Sequence, residues 1–380
     1  MYYKKNGLLF VSQTQYDALG SGKLNKNDFV FCLRGSLGKF CKYPFEQGAI
    51  ASSLVILRKI GNIVDDYIKI YLSSPLIQNQ INESNNGTAQ PNLGARDIAK
   101  YVIPLPTLAE QHRIVARVNE LMAKIDELEA VEKELVALKA AFPGDMKASL
   151  LQAAMQGKLT QQLPEDGSAA DLMASIKAEK ERLIKEKKIK KEKPLAPISA
   201  DEIPFDIPDN WEWVRLGEIS SYAYPKRKVN AMKAEPDTWM LDMEDIERGG
   251  RLLRKKKVRE CKAIGDKTIF EQGNILYSKL RPYLLKILIA DEDGICTPEL
   301  IPFDVFGDIN KQFIVYFLNS PYVDTEINRV TYGVKMPRVG TDTMVNFCVP
   351  LPPLAEQKRI VEKLDKLLPL CDALKEDGVA

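Results

Sequence analysis

A chain of 380 residues with 45% hydrophobic and 28% charged residues has the composition of an ordinary globular protein and is long enough for two or three cores. Its apolar runs fall short of the roughly 20 residues a membrane span needs, and the opening "MYYKKNGLLF" has no signal-peptide core or cleavage site, so a cytoplasmic chain without membrane contact is expected. The six cysteines (Cys32, Cys41, Cys261, Cys296, Cys348, Cys371) include no CxxC pair, so neither a zinc site nor a disulfide framework is supported and no cofactor is expected. The net charge of +2 hides an asymmetry: residues 1–101 hold 12 Lys+Arg against 7 Asp+Glu, whereas residues 203–347 hold 21 against 22.

The chain opens with a strand-like part containing "NDFVFCLRGS" (27–36), a short helix near Ser74 and the loop "NGTAQPNLG" (86–94). "PLPTLAEQHRIV" follows at 104–115, where Thr107 and Glu110 form a capping box for a long helix. Ile114, Leu121, Leu128 and Leu135 then recur every seven residues, with Val118 and Ile125 between them, a coiled-coil stripe. Pro143-Gly144 is expected to end this helix, and "DMKASLLQAAMQGKL" to form a second, shorter one closed by Gly157. A charged helix follows, with nine Lys/Arg against four Asp/Glu between Lys177 and Lys193, until the prolines from Pro194 onward break it. Such a basic run is first of all a solvated helix or linker.

From about Ile203 the pattern returns. "PLPPLAEQKRIV" at 350–361 matches 104–115 at ten of twelve positions, an offset of 246. At that offset "YLSSP" (71–75) meets "FLNSP" (317–321), "NDFVFCLRGS" meets "GNILYSKLRP" (273–282), and Gly87, Pro91 and Gly94 meet Gly333, Pro337 and Gly340 of "YGVKMPRVG". The chain therefore carries an internal duplication. The expected organisation is a first module at 1–103, a helical repeat at 104–160, a charged helix and Pro-rich linker at 161–202, a second module at 203–349 and a distal helix at 350–380. The two repeated helices are expected to pack antiparallel about a pseudo-twofold axis.

A strand-rich module followed by Pro-Leu-Pro-x-Leu-Ala-Glu-Gln-x-Arg-Ile-Val and a heptad helix, twice in one chain, closely resembles the specificity (S) subunit of type I restriction–modification systems. "IPDNWEWVRLGEI" (207–219), "GNILYSKLRPYLLK" (273–286) and "MKASLLQAAMQGKL" (146–159) add to the resemblance. It implies an α+β fold with two α/β target-recognition domains separated by long antiparallel coiled-coil spacer helices. It also implies double-stranded DNA as ligand, two methyltransferase (M) subunits docked on the repeats, and restriction (R) subunits recruited through them. The implied docking residues are Leu108, Arg113, Ile114, Leu121 and Leu128 in the first repeat and Leu354, Arg359, Ile360 and Leu367 in the second. The pattern departs from the family at one point. The counterpart of Trp211 would fall before Met1, so the first recognition domain is expected to lack its opening third. The alternative is then a shortened S chain acting as a half-site binder or coiled-coil scaffold, self-associated or paired with a complementary S fragment.

Arg and Lys hold phosphates and read guanine, and Asn and Gln suit adenine. Candidate DNA contacts are Lys226, Arg227 and Lys228; Lys255, Lys256 and Lys257; Lys279, Arg281 and Tyr283; Lys335 and Arg338; and, in the first module, Arg34, Gln90 and Asn92. No enzyme is expected. The single histidine, His112, has Lys358 as its repeat counterpart, and neither a phosphate loop nor a GxSxG elbow is present. The acidic and basic residues around "EDIERGGRLLRKKK" are a weak nuclease-like pattern that charged turns commonly produce.

Overall fold

Phe29-Val30-Phe31-Cys32 and Leu54-Val55-Ile56-Leu57 are runs of aromatic and branched residues, suited to strands buried on both faces. They form β2 (Phe29–Cys32) and β5 (Leu54–Leu57), paired antiparallel with Phe29 opposite Leu57. The computed structural model describes residues 10–84, 92–191, 193–262, 264–330 and 336–377. It divides into two units, Met1–Glu134 and Leu135–Ala380.

In the first unit the short α1 (Gln13–Asp17) precedes β1 (Lys23–Asn25), and β3 (Phe40–Lys42) and β4 (Gln47–Ala49) complete a three-stranded sheet in the order β3-β2-β5 and a β1-β4 pair. Helices α2 (Asp65–Ser73), α3 (Pro75–Ser84) and α4 (Ala95–Ile98) follow, and Phe29, Phe31, Tyr71, Ile77, Ile81 and Leu93 are buried together. Helix α5 (Leu108–Met155) begins here. The amide of Glu110 donates to the Thr107 hydroxyl at 3.4 Å, the expected cap.

In the second unit α6 (Ala169–Lys185) leads through the linker to β6 (Glu212–Arg215) and α7 (Leu216–Ile219). Next come β7 (Lys228–Asn230), β8 (Trp239–Leu241), β9 (Lys256–Lys257), β10 (Asp266–Phe270), β11 (Ile275–Ser278), β12 (Ile287–Ile289), β13 (Gly294–Cys296) and β14 (Leu300–Phe303). The unit closes with α8 (Lys311–Leu318), α9 (Pro321–Val330), α10 (Thr341–Val345), β15 (Cys348–Leu351) and α11 (Leu354–Asp377). The sheets run β7-β10-β13-β8-β9, β12-β11-β14 and β15-β6.

The duplication read from the sequence extends to strand register. Lys23 opposite Ala49 recurs at the 246-residue offset as Ile269 opposite Ile295, and Phe29 opposite Leu57 recurs as Ile275 opposite Phe303. The β11–β12 pairing slips by one residue relative to β2–β3: Phe29 faces Lys42, but Ile275 faces Ile289. No counterparts of β6 to β9 occur among the described residues of the first unit. The whole is an α+β fold.

One expectation is corrected. Pro143 does not end the first spacer helix; α5 runs through it for 48 residues to Met155, so "DMKASLLQAAM" is the same helix and not a second one. Proline removes one internal hydrogen bond, but strong helix formers such as Leu138, Lys139, Ala140 and Ala141 before it and Met146, Lys147 and Ala148 after it carry the helix on. The real stop is Gly157, at φ +67°, where Lys158 N–H donates to Ala153 O and Gly157 N–H to Ala154 O, a Schellman closure. The two spacer helices meet in part. Within the second unit α11 does run antiparallel to the end of α5, with Lys147 paired to Asp372 at one end and the Lys363 ammonium donating to Leu159 O at 2.7 Å at the other. Its partners there are Leu151, Ala154 and Met155, which share a core with Ile360, Val361 and Leu364. The heptad stripe Leu121–Leu135 stays exposed.

Gly294 of β13 tests the packing of the five-stranded sheet. A Cβ there would lie 2.7 Å from the Trp239 carbonyl oxygen and against the Phe270 ring, and its repeat counterpart, Gly48, is equally crowded by Tyr43. Gly294→Ala is expected to cost about 1–3 kcal/mol through overpacking, read as a lower urea midpoint with an unchanged slope.

Candidate nucleic-acid interface

The candidate DNA contacts of the second unit fall in three places. Lys226, Arg227 and Lys228 lead into β7, at one edge of the five-stranded sheet, while Lys256 and Lys257 form β9 at its opposite edge. With about 4.8 Å between strands, four spacings separate these groups by roughly 19 Å. Lys279, Arg281, Tyr283 and Arg338 gather at the end of β11, the third place.

The β9 group is largely committed within the fold. Lys256 is 13% exposed at its side chain and pairs with Asp245 at 2.9 Å and Asp242 at 3.1 Å, while Lys267 reaches Asp242 at 3.0 Å. Burial alone would raise the Asp245 pKa, but hydrogen bonds from Arg254 and Lys256 outweigh it and hold the carboxyl below its ordinary value. The acidic-basic stretch 244–257 is thus an ion-pair cluster in which Lys256 is held against Asp242 and Asp245 at the sheet edge. Lys255 lies 4.7 Å from the Trp239 ring centroid and 2.6 Å from Asp291. Lys257 reaches Asp237 at 3.1 Å.

At the β7 edge, Arg227 pairs with Glu271, and the Lys226 ammonium donates to Ser221 O at 2.7 Å. A groove here is lined by Lys226 and Arg227 together with Lys188 and Lys190 of the linker, and also by Glu271 and Asp304. The linker lysines were not among the candidates. Their run of like charge was the signal, but nothing in the sequence shows that the linker folds back beside residue 226.

The third place is the most organised. Arg281 N–H donates to Pro337 O at 2.7 Å, and Val339 N–H to Lys279 O at 3.0 Å, so the two loops form a two-stranded bridge, Leu280 opposite Arg338. Arg281 (φ 49°) and Leu285 (φ 48°) both adopt left-handed backbone around the turn Pro282–Leu284, which presents Tyr283 at 38% exposure. That conformation costs a non-glycine residue on the order of 1–3 kcal/mol. Among the described residues the Arg281 Nε is buried and has no acceptor. Arg338 forms a fork with Glu299 at 3.1 and 3.2 Å. The first unit repeats the bridge: Arg34 lies opposite Asn92, and Leu93 N–H donates to Leu33 O at 2.9 Å. Gln90 and Lys335 lie outside the described residues.

The two copies of the Leu-Ala-Glu-Gln motif differ in their surroundings. In the second, Glu356 is fully buried and accepts from Trp211 Nε1 at 2.8 Å, Gln162 Nε2 at 2.8 Å and Thr160 Oγ at 2.9 Å. Arg359 forks onto Asp166, Leu354 and Leu367 are half-buried, and Ile360 has no exposed surface. Ile360 is therefore a core residue of this chain, which corrects its assignment as a partner contact. In the first copy Arg113 pairs with the neighbouring Glu110, Ile114 is half-buried, and Leu108, Leu121 and Leu128 are exposed. His112 is exposed, like Lys358. Among the described residues no group of three or more His, Cys, Asp or Glu could hold a metal ion, and no helix is long and apolar enough to cross a membrane.

Duplicated α+β modules, each with a bridged loop pair followed by a helix, define a chain built from one repeated unit. The family described as "Type I restriction modification DNA specificity domain" matches residues 11–137 and 208–378, and the chain belongs to it. It is thus a specificity component and not a catalytic subunit. The specificity subunits of the type I restriction enzymes EcoEI and EcoAI of Escherichia coli are 33% and 31% identical over 62% of this chain, and the matches span 40% and 41% of those relatives. That of EcoDI, also from Escherichia coli, is 25% identical over 94% of this chain and 80% of its own length. A crystal structure of an HsdS subunit from Thermoanaerobacter tengcongensis aligns with 95% of this chain and 78% of that one, at 19% identity and a TM-score of 0.43.

The unequal motif copies give a direct test. Trp211→Phe removes a donor from a buried carboxylate and is expected to destabilise the chain by about 1–3 kcal/mol. Glu110→Gln breaks only a surface pair and is expected to stay within about 1 kcal/mol of the parent. Thermal denaturation of both variants decides it; equal losses would contradict the assignment.

Proposed function

We propose that the chain is the sequence-reading subunit of a cytoplasmic type I restriction–modification complex. It binds double-stranded DNA and docks methyltransferase subunits, one per repeat, with restriction subunits joining through them. The observation that carries this reading is the strained Arg281 turn tied to the Arg338 loop. A buried guanidinium nitrogen without an acceptor is costly, and a phosphate or a guanine edge would supply one. Lys279 and Tyr283 flank it, and Lys226, Arg227, Lys188 and Lys190 form a separate basic groove suited to backbone phosphates.

The five segments 1–103, 104–160, 161–202, 203–349 and 350–380 then act as recognition domain, spacer, linker, recognition domain and spacer. Since a helix rises about 1.5 Å per residue and B-DNA about 3.4 Å per base pair, spacer length sets the unread gap between half-sites. Methyltransferase docking is assigned to the module-proximal ends of the spacers, around Leu108 and Arg113 in the first copy and around Leu354, Arg359 and Leu367 in the second. A second reading, a half-site binder acting through the second module, is favoured by the β1-β4 sheet, which has two strands among the described residues of the first unit against five in its counterpart in the second.

In the assembled complex, Arg281→Ala and Arg338→Ala are each expected to weaken sequence-specific methylation by about 1–3 kcal/mol, roughly five- to 150-fold. Site-resolved methylation with unchanged rate and sequence preference in both variants would defeat the assignment.

A further inference from the structure

Within the second unit, helix α6 and the linker that follows it enclose a cavity of about 610 Å³. The helix closes on Lys187, which adopts φ 59°: its N–H donates to Ile184 O at 3.0 Å, and Lys188 N–H donates to Leu183 O at 2.9 Å, a Schellman turn. The chain then returns beside the helix, so that linker residues line the same cavity as Met173, Ile176 and Ile184. Both feet of the returning segment are fixed. Ile189 and Leu195 pack against the core of the unit, and a Cβ on Gly217 would stand 3.0 Å from the Leu195 Cδ1. Between those feet Lys190, Lys191, Lys193 and Pro194 line the cavity from the linker side.

The lining divides by chemistry. Ile176 is buried, and Met173, Ile184, Leu195 and Tyr224 are half-buried, whereas Lys177, Lys190, Lys191 and Lys193 are exposed. Hydrocarbon therefore lies inside and ammonium groups stand at the mouth, their stems extending the apolar wall. Two further charged groups are committed within the fold. Lys180 donates to Gly217 O at 3.3 Å and Glu218 O at 3.1 Å, and the Glu218 carboxylate accepts the Arg215 amide at 2.8 Å. The four exposed lysines form no ion pair among the described residues, and Glu181 is the one other acid on the described lining.

A volume of roughly 300–1,000 Å³, mostly apolar walls and a few charged groups are what a small-molecule site requires. The described lining residues include no Ser, Thr, Asn, Gln or His. A sugar or a nucleobase would leave most of its donors and acceptors without a side-chain partner, whereas a hydrocarbon chain gains by leaving water. An ammonium offers three donors and a point charge, which suits a carboxylate.

We propose that the cavity between α6 and the linker binds a single-chain amphiphilic carboxylate, with its tail among Met173, Ile176 and Ile184 and its head among Lys190, Lys191 and Lys193. The proposal goes beyond the DNA-reading role. The cavity shares Lys190 and Tyr224 with the basic groove but does not depend on what that groove binds.

The test is calorimetry on the full chain with decanoate below its micelle concentration. One site per chain is expected, with a negative heat-capacity change that marks apolar burial. Decanol, which keeps the tail and loses the charge, should bind at least about tenfold more weakly, and acetate at equal concentration should not compete. Ala174→Trp fills the cavity from an exposed helix position and should abolish binding with the thermal midpoint of the parent. Changing Lys190, Lys191 and Lys193 together to Gln should weaken decanoate by about tenfold or more and flatten its salt dependence. Unchanged affinity in either variant would place the binding elsewhere on the chain and overturn the proposal. Equal affinity for decanol, or full displacement by acetate, would reduce the site to an apolar hole or a cationic rim, and either overturns it. So would the absence of binding at millimolar decanoate, or binding only to anionic phospholipid vesicles.

Discussion

Each projecting helix is fixed to its module by one buried glutamine. Gln357 has no exposed surface; its Nε2 donates to Pro352 O at 2.8 Å, and its Oε1 accepts the Asn310 amide at 2.9 Å. Gln111, 1% exposed, does the same with Pro106 O and the Val64 amide, both at 2.9 Å. Asn310 and Val64 are the N-cap residues of α8 and α2, so one carboxamide joins the first turn of the outgoing helix to the first turn of the module's own helix. A carboxamide is one of the few neutral groups that can donate and accept at once, and burial makes either lost bond expensive. Helix direction relative to module is thereby set locally, within each unit and in the same way twice.

From that joint outward the copies diverge, and the divergence lies in what covers the motif rather than in the motif. Glu356 and Arg359 are enclosed by Thr160, Gln162, Asp166 and Trp211, whereas Glu110 and Arg113 hold each other at the surface. Identical letters therefore do different work: in one place they anchor a buried network, and in the other they leave a polar patch at the root of an exposed apolar stripe.

The limits of sequence reading follow the same line. The duplication, the strand register at its fixed offset, the Thr107 cap and the Gly157 stop were all legible, because each depends on local pattern or on comparing the chain with itself. The passage of α5 through Pro143 was not, since the sequence shows both the penalty of one proline and the helix formers around it but not the packing that decides between them. The surroundings of the lysine groups were hidden for a similar reason. Lys256 looked like a surface cation until Asp242 and Asp245 closed over it, and Lys188 and Lys190 looked like linker until the chain folded back beside Lys226. Charge runs fix composition, not geometry, and a paired lysine reads the same as a free one.

The bridged loops show how one backbone frame can carry two sets of side chains. The backbone pairing of residues 34 and 92 is repeated at 280 and 338, and so is the hydrogen bond from the residue after each second partner. The side chains on that shared frame are exchanged: Arg34 and Asn92 in one copy, Leu280 and Arg338 in the other. In the first copy both bridge residues are polar. In the second a single arginine remains, held by Glu299, and the left-handed Arg281 next to Leu280 supplies a further cation. Side-chain type decides which hydrogen-bonding edge a group can meet, so the two copies differ in what their bridge residues can bond while sharing one backbone frame. The strain is concentrated at Arg281 and Leu285, beside the exchanged residues, and the frame beneath them is packed by Ile275, Tyr277 and Phe303. A rigid core carrying a strained, interchangeable edge lets the edge vary without cost to the fold, the separation of scaffold from site on which recognition by duplicated modules depends.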